Sequence, residues 1–236
     1  MIDYTSNLSI EEVKSLLKYL QGFLTTQRQE KINQILNYRT RCINVVLEDL
    51  YQPHNASAVM RSADAFGVQD IHIIENRNTF TSEKKISVGS EKWLTLYKYK
   101  GQNSTEQCIR QLKSDGFLVA ATTPQANSVD IRDLSVEQNI SLLFGTELTG
   151  LTDTAMDLAD VRVNIPMYGF TESYNISVST ALGLYELSTR LRKERSDWNL
   201  KVEERLRLET DWTIKSVRAG KQLAEKYMSL SKQTED

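Results

Sequence analysis

The amino-acid sequence predicts an α/β fold on a mostly parallel sheet, with helical extensions at both ends. Three observations carry that expectation. Short continuous apolar runs recur at Ile43 to Leu47, Ile71 to Ile74, Phe117 to Ala121, Leu142 to Phe144 and Val161 to Ile165. Such runs suit strands buried on both faces, the habit of parallel sheets covered by helices. Segments of helical character separate them, as crossover connections require. Residues 8 to 37 and about 202 to 230, in contrast, place apolar residues at helical spacing with no strand between them.

The elements follow in order. Val13, Leu16, Leu17, Leu20, Phe23 and Leu24, then Ile32, Ile35 and Leu36, mark one or two helices before the core. The strand at Ile43, a helix from Ala56 to Phe66 and the strand at Ile71 make a βαβ opening. A polar stretch from Asn76 to Lys92 follows, with little to fix it, and Leu94 to Tyr99 is a further strand. Ser104 to Asp115 is an amphipathic helix, with Ser104 or Thr105 as its cap and Gly116 at its end. Helical segments near Val136 and from Thr152 to Ala159 separate the last strands. From Asn175 to Arg195 a helix carries Ile176, Val178, Ala181, Leu182, Leu184, Tyr185 and Leu187, apolar on more than one face, so it is deeply packed or lies at a subunit interface. One final helix spans about Val202 to Leu230. The chain thus divides into an N-terminal helical extension (1–41), a core domain (42–195) and a C-terminal helical extension (196–236).

Composition narrows the function classes. With 40% hydrophobic and 25% charged residues in 236, the chain is ordinary globular material. Cys42 and Cys108 fit no metal spacing and no disulfide framework, and the N-terminus lacks the basic start and apolar run of a signal peptide. A cytoplasmic protein without a membrane partner is expected. The two histidines, His54 and His72, have no Cys pattern beside them, so no metal site is expected. No Gly-x-Gly-x-x-Gly follows a strand and no P-loop is present, which disfavours those nucleotide-binding enzymes. Residues 42 to 187 hold 11 Lys and Arg against 18 Asp and Glu, whereas the two ends together carry a net +5. Basic ends on an acidic core suit a nucleic-acid backbone; mixed ion pairs on solvated helix faces explain the same charges, and charge alone favours that plainer reading.

Three short segments add chemistry. Asn55 stands where a helix N-cap belongs, with Arg61 six residues later. Gly145-x-Glu147-x-x-Gly150 follows an apolar strand as a tight turn. Ile165-Pro166-Met167 ends a strand, where proline stops the ladder, and leads to Ser173-Tyr174-Asn175-Ile176-Ser177. Taken singly, a cap, a surface arginine and two strand-end turns account for them.

Taken together and in this order, with the long helix after the last, the three segments resemble the signature motifs of the SPOUT-class RNA ribose 2′-O-methyltransferases, the SpoU/TrmH family. The string Pro53-His54-Asn55-x-Ser57-Ala58-x-x-Arg61-x-x-Asp64-Ala65-x-Gly67 is most similar to the branch that methylates guanosine 18 in the D-loop of transfer RNA. The resemblance covers about residues 43 to 195. It implies a Rossmann-like sheet with a deep trefoil knot in the C-terminal part of the core, a homodimer across the last-motif helix, S-adenosylmethionine (AdoMet) as cofactor and tRNA as partner. An rRNA substrate is the alternative within the family, although many such members carry an extra N-terminal RNA-binding domain and only about forty residues precede this core. A non-catalytic RNA-binding protein and a generic small-molecule enzyme are rivals from other classes.

The same resemblance assigns roles. Arg61 becomes the catalytic residue at the 2′-hydroxyl; a guanidinium stays protonated, so an electrostatic or phosphate-coupled role is as reasonable as proton removal. Asn55 would hold it or the catalytic loop, Glu147 would orient Arg61 by a bidentate pair, and Ser173 and Asn175 match the polar positions of the third motif. Ile165, Met167 and Tyr174 would line the adenosine, with Thr122 and Gly145 on neighbouring loops; the family usually has Leu in place of Tyr174. Arg39 and Arg41, with Arg190, Arg192, Lys193 and Arg195 at the end of the last-motif helix, are expected RNA contacts, or else an ordinary basic helix end favoured by the dipole.

Overall fold

A computed structural model describes residues 5–83, 87, 89–125 and 127–233. Part of the polar stretch expected from Asn76 to Lys92, namely 84–86 and 88, lies outside the described residues. Thr40 to Trp198 form one compact unit; the segments up to Arg39 and from Asn199 onward form another.

The larger unit is built on seven strands among the described residues: β1 (Ile43–Glu48), β2 (Asp70–Glu75), β3 (Thr95–Lys100), β4 (Phe117–Thr122), β5 (Val129–Asp130), β6 (Asn139–Phe144) and β7 (Val161–Asn164). Their order is β3-β2-β1-β6-β4-β7-β5, and the pairings are all parallel. Val45 of β1 sits opposite Ile71 on one side and Leu142 on the other, so the apolar runs are in register at the sheet centre. Neighbouring residues of a strand point to opposite faces. Val45 and Leu47 therefore join Val59 and Met60 of α3 (Pro53–Ala65) in one core, while Val46 joins Cys108, Ile109 and Leu112 of α4 (Ser104–Ser114) in another. Helix α5 (Asp153–Leu158) adds Ala155 to the second core, and α6 (Ile176–Glu194) adds Leu184 and Leu187 to the first. Both cysteines are buried free thiols.

Several local expectations change. Helix α3 starts at Pro53, a good first residue because its missing N–H would have no partner there, so Asn55 lies inside the first turn and Gln52 takes the cap position. Ser104 and Thr105 also lie inside their helix, after Asn103 at φ 66°; their hydroxyls donate to Asn76 and to Glu48, each at 2.5 Å. Val136 is not helical: a 3₁₀ turn at Ile131–Asp133, preceded by the two-residue β5, occupies that connection.

The second unit holds α1 (Ile10–Gln21), α2 (Thr26–Leu36), α7 (Val202–Ser216) and α8 (Gly220–Gln233). Ser9 and Glu12 form a capping box on α1. Leu16, Leu20, Ile214 and Ala224 make its core, so the two terminal extensions fold together. The single last helix of the sequence reading is two helices, divided where Ala219 takes φ 57°. Among the described residues, no helix is long and apolar enough to cross a membrane.

Candidate active site

The first two motifs follow β1 and β6, which run side by side in the sheet, and the third leads into α6. Asn55 is buried, and its Nδ2 donates to Gln52 Oε1 at 3.0 Å and to the carboxylate of Glu147. Its Oδ1 accepts from Asn175 Nδ2 at 3.2 Å. Asn175 in turn caps α6, accepting from the Ser177 N–H at 2.9 Å and the Ser177 hydroxyl at 2.5 Å. Residues from all three sequence segments thus meet in one hydrogen-bonded cluster.

Glu147 is presented by a tight hairpin. Thr146 and Gly150 exchange N–H···O bonds, both at 3.0 Å, and the Thr149 N–H donates to Thr146 Oγ1. Gly150 has φ 69°, which favours glycine. Gly145 is needed for a different reason: a Cβ there would lie 2.1 Å from the carbonyl carbon of Gly150.

Arg61 is exposed on α3 and, among the described residues, has no hydrogen-bond or ion-pair partner. The expected Arg61–Glu147 pair is not formed, because Glu147 is engaged by Asn55. Helical geometry explains this: six residues turn a side chain roughly 120° away from Asn55.

Thr122, Val163, Ile165, Met167, Ser173 and Tyr174 line a cleft beside the ends of β4 and β7. Four of the five expected cofactor residues are therefore together, and Gly145 stands instead at the hairpin. Ser173, expected with the catalytic group, joins this lining. Thr122 Oγ1 donates to the Leu143 carbonyl at 2.6 Å, and Tyr174 closes its loop by donating to the Pro166 carbonyl at 3.1 Å.

The expected RNA contacts fare differently. Arg39 is fully buried in the helical unit, its guanidinium 5.0 Å from the Trp212 ring, so no phosphate can reach it. Arg41 pairs with Asp70 at 2.5 Å. Arg190 donates to the carbonyls of Arg132 at 2.8 Å and Leu134 at 2.6 Å, Arg192 to that of Phe66 at 2.7 Å, and Arg195 to Asp197 and Asn139. Guanidiniums with several planar donors suit such clamps. Of the four basic residues ending α6, only Lys193 is both exposed and without a bonded partner among the described residues.

Two acids were missed. Glu48 is buried and accepts from Thr105 Oγ1 at 2.5 Å, Thr152 Oγ1 at 2.8 Å and Thr152 N at 2.9 Å. Asp49 holds the turn after β2 through its carboxylate. Two consecutive acids closing a largely apolar run were the available signal, since buried carboxylates require partners. His72 is buried, its ring stacked 4.6 Å from that of Tyr97; burial and then Arg41 lower it to about 4. Burial pushes the Cys108 thiol up to about 12. Among the described residues no group of three His, Cys, Asp or Glu is placed to hold a metal.

Residues 42–185, which take in the sheet, the three motifs and the first half of α6, match the SpoU rRNA methylase family. The chain belongs to the SpoU methylase family. Among its SpoU relatives, the tRNA (guanosine(18)-2′-O)-methyltransferase of Borreliella burgdorferi is 39% identical over 198 residues, 84% of this chain and 89% of that one. The Escherichia coli K12 protein of the same name is 34% identical over 159 residues, 67% of this chain and 68% of its own. Of solved structures, the A. aeolicus TrmH/SpoU tRNA modifying enzyme aligns with a TM-score of 0.72 and 29% identity, over 81% of this chain and 98% of that one. An AdoMet-bound rRNA methyltransferase from Sinorhizobium meliloti aligns at 0.56 and 26% identity, over 68% and 59%.

Proposed function

We propose that this protein transfers a methyl group from AdoMet to the ribose 2′-oxygen of guanosine 18 in tRNA. The observation that carries the reading is the meeting of Asn55, Glu147 and Asn175 beside a cleft lined by Thr122, Ile165, Met167 and Tyr174. Relatives bearing that activity in their names, at 34–39% identity over most of the chain, support the substrate.

The cleft fits AdoMet by its donor set: Val163, Ile165 and Met167 offer an apolar wall to a purine ring, and Thr122, Ser173 and Ser179 offer hydroxyls to a ribose. AdoMet bound there supplies an electrophilic methyl group. Around it the chain's own residues position and stabilise. Asn55 and Asn175 fix the Glu147 hairpin against the start of α6, so the motif loops keep one geometry. We assign to Arg61 the developing charge on the 2′-oxygen and the adjacent phosphate, a role that a permanently protonated fork suits; the proton leaves to phosphate or water. Because Arg61 faces away from its own cluster, a second copy brings it to the neighbouring cofactor cleft in this reading. Val178, Leu182 and Tyr185, exposed at i, i+4 and i+7 on α6, support such a homodimer. The trefoil knot of the C-terminal core and a cytoplasmic location belong to the same reading, and Lys193 remains its basic-end contact with RNA.

Unmodified tRNA transcript and labelled AdoMet test it. Methylation mapped to guanosine 18, and lost when that nucleotide is 2′-deoxy, is the expected result. Incorporation only into rRNA fragments overturns the tRNA assignment, and incorporation into neither RNA overturns the activity.

A further inference from the structure

Gln52 and Glu147 also line a second cleft, of about 460 Å³, that the mechanism above does not use. Its volume falls in the range of small-molecule sites. One wall comes from the β1–α3 loop with Tyr51, another from the turn after β2 with Arg77 and Asn78, and a third from the Glu147 hairpin with Leu148.

Asp49 builds this cleft. It takes φ 52°, a conformation uncommon outside glycine. Its Oδ1 accepts the N–H groups of Asn76 at 2.7 Å and Arg77 at 2.9 Å, and its own carbonyl accepts from Asn78 Nδ2 at 2.9 Å. The turn is thereby held, and Arg77 is carried at its exposed tip, its guanidinium with no bonded partner among the described residues. The acids of the lining are already engaged, Glu48 by Thr105 and Thr152 and Glu147 by Asn55. Facing solvent are the Arg77 cation and two apolar side chains, Tyr51 at 72% exposure and Leu148 at 98%, together with the polar Gln52, Glu147 and Thr149.

An unpaired guanidinium beside an exposed aromatic ring is the chemistry that recognises a nucleotide, by phosphate pairing and base stacking. We propose that this cleft holds the nucleotide next to the methylated one, its base against Tyr51 and Leu148 and its phosphate on Arg77. The inference rests on the reading that the substrate is an RNA. Sharing Gln52 and Glu147 with the motif cluster sets the cleft next to the proposed site.

Steady-state methylation of tRNA transcript by Tyr51→Ala, Tyr51→Phe, Arg77→Ala and Arg77→Lys tests it, with AdoMet affinity and thermal unfolding measured on each. Tyr51→Ala should raise KM for tRNA about 5- to 100-fold, and Tyr51→Phe, which keeps the ring, should stay within about twofold. Arg77→Ala should raise KM about tenfold and make the salt dependence shallower by about one, with Arg77→Lys restoring the slope. AdoMet affinity and folding should not change. An abasic site beside the target should weaken the unaltered protein and have no further effect on Tyr51→Ala. Wild-type KM and salt slope in both alanine variants, or indifference to an abasic site on either side, overturns the proposal while leaving tRNA methylation intact. Failure of the unaltered protein to methylate RNA overturns the functional reading instead.

Discussion

Gly145→Ala measures how far the Glu147 hairpin depends on one backbone crossing. A methyl at this position would lie 2.1 Å from the carbonyl carbon of Gly150, 2.2 Å from its oxygen and 2.2 Å from the nitrogen of Leu151. Carbon atoms make comfortable contact only from about 3.5 Å, so the two segments must separate by roughly 1.4 Å. Separation on that scale breaks the paired Thr146–Gly150 bonds, both now 3.0 Å. Two neutral hydrogen bonds contribute about 2 kcal/mol and overpacking adds about 1–3 kcal/mol. The expected loss of about 3–5 kcal/mol lowers the unfolding temperature by roughly 10 °C for a unit of this size. Because the hairpin carries Glu147, kcat should fall even at temperatures where the variant is folded. Gly150→Ala is the comparison: it has open space at the Cβ but φ 69°, so only about 1–2 kcal/mol of backbone strain is expected. Thermal and urea unfolding, with methyl transfer at saturating tRNA and AdoMet, check both. Equal losses in the two variants, or a Gly145→Ala protein of wild-type stability and kcat, refute the steric account.

Other perturbations follow from the same structure. Glu147→Ala leaves the buried Asn55 amide short of an acceptor and should lower kcat on the order of 100-fold with AdoMet affinity retained; parallel loss of AdoMet affinity in calorimetry contradicts a purely positioning role. Arg190→Ala frees the carbonyls of Arg132 and Leu134 and should cost about 2 kcal/mol in urea unfolding with no change in the salt slope of tRNA binding, whereas Lys193→Ala should leave stability alone and make that slope shallower by about one. His72 supplies a pH prediction. Burial, and then Arg41, lower it from 6.5 to about 4, so between these values the unfolded chain binds a proton that the folded chain does not. Stability therefore falls as pH drops from about 6.5 to 4, by about 3 kcal/mol for this group. His72→Phe, which keeps a ring against Tyr97, should flatten that fall; an unchanged pH profile removes His72 as its origin.

The parallel sheet was legible because its central strands β1, β2 and β6 are buried on both faces, and the strand cores from Ile43, Ile71, Phe117, Leu142 and Val161 lie where the runs placed them. Boundaries were harder wherever a polar side chain bonds across the fold. Ser104 and Thr105 look like helix caps, yet their hydroxyls reach Asn76 and Glu48 from other elements; Asn55 has a cap's chemistry and sits inside the first turn, bonded to Glu147. The break between α7 and α8 falls at Ala219, at φ 57°, and Gly220 beside it, where a Cβ would lie 2.1 Å from the Ile214 carbonyl oxygen, was the signal that a single-helix reading passed over. In the site, the family resemblance named residues that the structure brings together, Asn55, Glu147 and Asn175 in one cluster and Thr122, Ile165, Met167 and Tyr174 around one cleft. It could not give direction, because helical phase turns Arg61 outward and the fold turns Arg190, Arg192 and Arg195 back onto carbonyls and acids. Basic composition at a helix end says that charge is present, not that it is free.

Asn175 caps α6 and also donates to Asn55, so the start of that helix answers to two equilibria at once. Any macromolecule that seats on Val178, Leu182 and Tyr185 and shifts the helix moves the cap, and with it the Asn55–Glu147 contact. By thermodynamic reciprocity, whatever orders that contact must tighten binding on the stripe by the same factor. Under the proposed homodimer, specific activity should therefore depend on protein concentration, and substrate should shift the concentration at which it does.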